Sequence, residues 1–146
     1  MTIPDILFYG LHLPAMLGWG LLLFAPKAVP TTRWVHSGLL PLMLCAFYVG
    51  LLFYGVVLGL ANAGAGMISL AAVAALFSHP IGLLTGWAQF LTFDLFIGAW
   101  IARDGRALKL SHISTLPALV FTLVFGPLGL MLHLLRRGLG GHGWAL

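Results

Sequence analysis

Residues 34–93 read WVHSGLLPLMLCAFYVGLLFYGVVLGLANAGAGMISLAAVAALFSHPIGLLTGWAQFLTF, and between Arg33 and Asp94 no Lys, Arg, Asp or Glu occurs. A transmembrane helix needs about 20 consecutive apolar residues, so this stretch holds more than one bilayer crossing. Asn62-Ala63-Gly64-Ala65-Gly66 is a turn-rich breaker and divides it. Working outward, Asp5 to Lys27 and Lys109 to Arg136 are also uninterrupted by charge, and each has room for a further span.

The rest of the composition agrees. Hydrophobic residues make up 61% of the chain and charged ones 7%, with a mean hydropathy of +1.07. A soluble globular domain carries about 25% charge, so a water-soluble fold is excluded. The 146 residues form a single membrane domain over 1–146 and leave no room for an added soluble one. The fold expected is an all-α membrane bundle of four spans, at about Pro4–Ala25, Ser37–Leu60, Ile81–Ala102 and Ser114–Leu135. Met67 to Phe77 is apolar but too short to cross and reads as a short extra helix docked on the bundle. Five spans, made by extending that segment through Pro80, is the alternative. Gly126-Pro127-Leu128-Gly129 is expected to kink the last span, and Gly138 to Gly143 reads as disordered.

Seven Lys and Arg stand against three Asp, and they sit in loops and a tail, where they read as headgroup anchors and topology signals and not as a nucleic-acid surface. The N-terminus does not read as a cleavable signal. Lys27, Arg33, Arg103, Arg106 and Lys109 place two loops in the cytoplasm by the positive-inside rule, which puts both termini outside, most simply in a bacterial inner membrane. Arg136-Arg137 conflicts with that orientation. The single Cys45 permits no intramolecular disulfide. The sequence signals no metal site and no cofactor: no His pair has the helical spacing of ligands.

Asp94 is the one acid well inside a predicted span, where a charged side chain costs ~3 kcal/mol to insert. Such a residue faces a cavity or a partner, as a chemical group or as a hydrogen-bonded tie between helices. Trp87 and Phe90 share its helical face and suit a flat apolar ligand, and Gln89 adds polarity to the same span. Arg103-Asp104 reads as an exposed ion pair at the membrane edge.

The order of these residues resembles the ABA4-like family (abscisic acid-deficient 4). The resemblance rests on His79-Pro80-Ile81-Gly82, Gly86-Trp87, Phe93-Asp94-Leu95-Phe96-Ile97-Gly98-Ala99-Trp100, Arg103-Asp104-Gly105, and the closing Phe125-Gly126-Pro127-Leu128-Gly129-Leu130-Met131-Leu132-His133. It covers the C-terminal half, while the N-terminal half agrees only in hydrophobicity and length. It implies a small multi-span protein acting on carotenoids, since plant members are plastid proteins needed to convert violaxanthin to neoxanthin. In that isomerisation an epoxide opens as a polyene carbon loses a proton to leave an allene, so it needs an acid on oxygen and a base on carbon. The resemblance points to Asp94 for this work, with His79, Arg103, His112 or water as second group and Trp87, Phe90 and Gln89 as substrate contacts. Two departures stand out: Gln89 where the family often has His, and Ala99 where it often has Arg.

Three functions follow as alternatives: an isomerase of epoxy-carotenoid-like isoprenoids, a non-catalytic subunit that binds a pigment or stabilises another enzyme, and, least supported, a transporter. The partners expected are membrane lipids, a carotenoid or other apolar isoprenoid, and a second copy or a membrane partner protein.

Overall fold

The computed structural model describes residues 2–60 and 62–141, and among these the regular structure is all helical. The six α-helices are α1 (Ile3–Phe24), α2 (Leu39–Val57), α3 (Leu70–Phe77), α4 (Pro80–Ala107), α5 (His112–Phe125) and α6 (Pro127–Leu139), and a π-helical turn, Thr31–His36, links the first two. Three of them, α1, α2 and α4, are long and apolar enough to cross a membrane.

Short polar residues start these helices. Thr2 and Asp5 form a capping box on α1, Ser69 caps α3 and Ser111 caps α5, each hydroxyl accepting a backbone N–H that has no partner inside the helix. His79 caps α4, where its Nδ1 accepts from Ile81 N at 3.2 Å. Pro80 then occupies the first helical position, which needs no donor. The short helix expected near 67–77 is therefore present as α3, and Ser78-His79-Pro80 separates it from α4 instead of joining the two into a fifth span.

The bundle is built around α4. Leu84, Ala88, Leu91, Leu95, Ala99 and Ala102 are buried along it. On α1, Trp19 lies over Gly98 so closely that a Cβ there would fall 2.5 Å from the indole. α2 packs on another flank and runs antiparallel, its Gly55 meeting Ile81 at the start of α4. At the other end the Arg103 guanidinium donates to the His36 carbonyl at 3.3 Å, and His112 Nε2 lies 2.9 Å from the Leu23 carbonyl. The end of α1, the start of α2, the end of α4 and the start of α5 thus meet.

The expected fourth span is not one crossing. Within 114–135 the chain reverses at Gly126, which takes φ +45°, and α6 returns along α5. The Arg136 guanidinium reaches the carbonyl of Ser114. In one straight helix these residues would lie about 33 Å apart. A Cβ on Gly129 would fall 2.2 Å from Thr122 N and 2.3 Å from the Ala118 carbonyl oxygen, so the two backbones touch. The Gly-Pro pair makes a helical hairpin and not a kink. The hairpin brings Arg136 and Arg137 to the end that already holds Lys27, Arg33, Arg103, Arg106 and Lys109, which removes the conflict in the charge pattern. Gly138 and Leu139 continue α6, Gly140 is its C-cap and Gly141 stands in a turn, so these four are not disordered; His142 and Gly143, the rest of the predicted stretch, lie outside the described residues.

Two outcomes test this architecture. Replacing Gly129 by Ala forces a side chain between two backbones that cannot rotate away, and is expected to lower the unfolding free energy by ~1–3 kcal/mol. Gly10→Ala, with nothing within 4 Å, serves as the neutral comparison in the same thermal or denaturant titration. In a Cys45→Ser background, single cysteines at Lys109 and Leu139 are expected to react with an impermeant thiol reagent from the same side of the membrane; labelling from opposite sides would restore a fourth crossing.

Candidate functional site

Asp94 lies where the hairpin ends. Its half-buried carboxyl abuts Gly126 at the reversal, and a Cβ on that glycine would stand 2.5 Å from Oδ1. No hydrogen bond or ion pair reaches this carboxyl among the described residues. Beyond Asp94 towards the start of α4 the hairpin no longer covers the helix. Leu83, Trp87 and Phe90 on that face are 56%, 40% and 58% exposed. Above the hairpin tip this face of α4 is therefore open to the side, with Asp94 at its edge.

The same face holds a polar pair that sequence reasoning did not assemble. Trp87 Nε1 donates to His12 Nε2 at 3.2 Å, and His12 Nδ1 lies 2.7 Å from the Phe8 carbonyl. Both contacts are satisfied when the imidazole carries its hydrogen on Nδ1 and is neutral. Phe8 covers His12 with ring centroids 4.2 Å apart, and Phe90 meets Trp87 edge-on at 6.5 Å. Trp87 stands two turns, about 10 Å, along α4 from Asp94. Asp94, Trp87 and Phe90 lie on one face of α4, and α1 adds His12. The signal that could have found His12 is its position well inside the first predicted span.

The remaining candidates lie elsewhere. His79 is the N-cap of α4, about 22 Å along the helix from Asp94. Arg103 lies about 13 Å away in the other direction, bound to the His36 carbonyl. Neither is brought to the Asp94 carboxyl. Gln89 faces away from Asp94 into an apolar groove of about 550 Å³ between α2 and α4, lined by Cys45, Tyr48, Thr92, Phe93 and Phe96. His112 packs at the basic end against α1.

Asp104 does not pair with Arg103. Its Oδ2 lies 2.8 Å from Nε2 of the fully buried His133, and its Oδ1 pairs with Arg137. His133 Nδ1 meets Arg136 Nη2 at 3.1 Å, and Trp100 stands edge-on to the imidazole at 5.3 Å. Two residues of the hairpin's second helix, His133 and Arg137, thereby meet one carboxylate of α4, and Arg136 joins them through His133. The cluster clasps α6 to the bundle and holds the hairpin tip beneath Asp94.

At the same end, between the spanning helices, Arg106 Nη2 lies 2.7 Å from His36 Nε2. An arginine donating to that nitrogen requires a neutral imidazole. Burial, and then the charges of Arg106 and Arg103, push the pKa of His36 down to about 4.

Among the described residues no three His, Cys, Asp or Glu side chains converge as metal ligands would. A family model, ABA DEFICIENT 4-like, matches residues 6–133. No curated protein and no solved structure matches the chain.

The depressed pKa of His36 has a direct consequence for stability. Below the ordinary histidine pKa of about 6.5 the unfolded chain takes up a proton that the folded chain refuses. The contribution of neutral His36 is complete above that pH and is lost as the pH falls towards 4. Thermal unfolding followed between pH 7.5 and pH 4 is expected to show a steeper fall for the native protein than for His36→Gln; parallel curves would contradict the assignment.

Proposed function

The chain belongs to the ABA DEFICIENT 4-like family, and on that premise we propose that it is an integral membrane isomerase of oxygenated, carotenoid-like isoprenoids. In this reading α1, α2 and α4 cross the bilayer and the α5–α6 hairpin enters it from the basic end. All seven Lys and Arg then lie on the cytoplasmic face and the N-terminus lies on the other. The observation that carries the function is the Asp94 carboxyl, without a partner among the described residues, at the edge of a face of α4 that is open to the side. A lipid-dissolved substrate reaches such a face without leaving the apolar phase.

The ring end of the isoprenoid packs against Trp87, Phe90 and Phe8, with its epoxide oxygen towards Asp94. The neutral carboxyl gives its proton to that oxygen as the carbon–oxygen bond breaks, leaving a hydroxyl. The electrons of the adjacent polyene C–H bond form the new double bond of the allene, and the proton released goes to the other carboxyl oxygen. The acid is regenerated, atoms and charge balance, and no cofactor or second acid is required. Trp87 and His12 fix each other's orientation on that face.

A second reading, a pigment-binding subunit without catalysis, is favoured by the α2–α4 groove. That groove can hold an extended apolar chain against Tyr48, Phe93 and Phe96 with no acid in reach.

Expression in bacteria that make epoxy-carotenoids separates the two. The isomerase reading expects a new isomer in the extracted pigments, reduced at least about 100-fold by Asp94→Asn in a variant that still folds. Pigment that co-purifies unchanged with both proteins, with no new isomer, supports the binding subunit. Absence of both product and bound pigment would rule out this substrate class.

A further inference from the structure

At the basic end a cavity of about 250 Å³ opens between the end of α1, the end of α4 and the start of α5. Pro26, Lys27, Ala102, Arg106, Ser111 and His112 line it. We infer that this cavity binds a phosphate group, either the headgroup of an anionic lipid or a soluble phosphate.

The charges make the case. The end of the bundle that holds all seven Lys and Arg has Asp104 as its acid, because Asp5 starts α1 at the opposite end and Asp94 lies at the hairpin tip. Both oxygens of Asp104 are taken, one by His133 and one by Arg137, so Asp104 does not neutralise the cavity. Lys27 makes no hydrogen bond or ion pair among the described residues. Arg106 spends Nε on the Ala102 carbonyl and Nη2 on His36, which orients the guanidinium and leaves Nη1 without a described partner. His112 is held by its Nε2 contact to the Leu23 carbonyl, which ties α5 to α1 and closes the cavity on that side. The first turn of α5 adds N–H groups with no intrahelical acceptor.

A cavity lined by two cations, with walls fixed by hydrogen bonds and no acidic side chain in its lining, suits a compact, multiply accepting group. In a bilayer its position at the helix ends coincides with the headgroup layer. The inference uses the membrane setting but not the isoprenoid chemistry, and its readout needs no pigment, so the two fail separately.

The test uses the full chain in detergent micelles, titrated with phosphatidylglycerol, phosphatidylcholine or inorganic phosphate and followed by thermal unfolding. Phosphatidylglycerol is expected to raise the midpoint more than phosphatidylcholine, whose choline cation meets Lys27 and Arg106. Lys27→Gln is expected to weaken the response about tenfold, the scale of one lost charge-assisted hydrogen bond, and Lys27→Arg to restore it. Arg33→Gln, at the same end but outside the cavity, leaves it unchanged. A shift with inorganic phosphate alone identifies a soluble ligand, and a shift with the lipid alone identifies the headgroup; either supports the site. Equal weakening by Lys27→Gln and Arg33→Gln would assign the effect to diffuse charge and overturn the inference, as would a response to none of the three probes.

Discussion

Gly129 has no side chain, and because it has none the α5 and α6 backbones meet at van der Waals distance. The rest of the arrangement depends on that contact. A reversal in an apolar medium must satisfy its own backbone groups, because no water is at hand to do so. Gly126 N donates to the Thr122 carbonyl at 2.9 Å, and the Gly126 carbonyl accepts from Gly129 N at 3.2 Å. Pro127 brings no donor to leave unpaired. The turn therefore closes with little unmet polarity, and the hairpin can end at the level of Asp94 without reaching a solvent-exposed face.

One helix carries polar groups at three depths, and each has a different setting. Near its start, α4 presents Trp87 to a neutral imidazole. Further along, Asp94 abuts the backbone of the reversal and makes no hydrogen bond or ion pair among the described residues. Beyond that, Asp104 is saturated by His133 and Arg137. Two acids ten residues apart on the same helix thus play opposite parts: the one with two partners fixes the hairpin, and the one with none among the described residues lies beside the open face of α4. The paired acid keeps the unpaired one in place, since the clasp sets where the hairpin tip lies.

Most of the helical organisation was legible in the sequence because it follows from the local pattern. Long apolar runs gave α1, α2 and α4. The face shared by Trp87, Phe90 and Asp94 followed from helical spacing alone. The hairpin was not legible by the same reasoning. Residues 114–135 are as apolar as a crossing, and the hydropathy of a run does not record whether it folds back halfway. The conflict was nonetheless present in Arg136-Arg137, two cations on the wrong side of a four-span topology. Partners from distant segments were also hidden: nothing local to Arg103-Asp104 indicates that the acid turns towards residues 133 and 137, and nothing local to His12 points to Trp87.

The hairpin also bears on how such a chain is made. In the proposed topology α1, α2 and α4 each present a segment that an insertion machinery can pass laterally into lipid, whereas residues 112–139 need never be carried across. Arg136 and Arg137 then stay on the side where they were synthesised, which spares the cost of drawing two guanidinium groups through the hydrocarbon layer. The hairpin is left to dock on a bundle already in place, and its docking brings Gly126 against Asp94. A chain cut short after α4 would keep the three long helices and lose that contact.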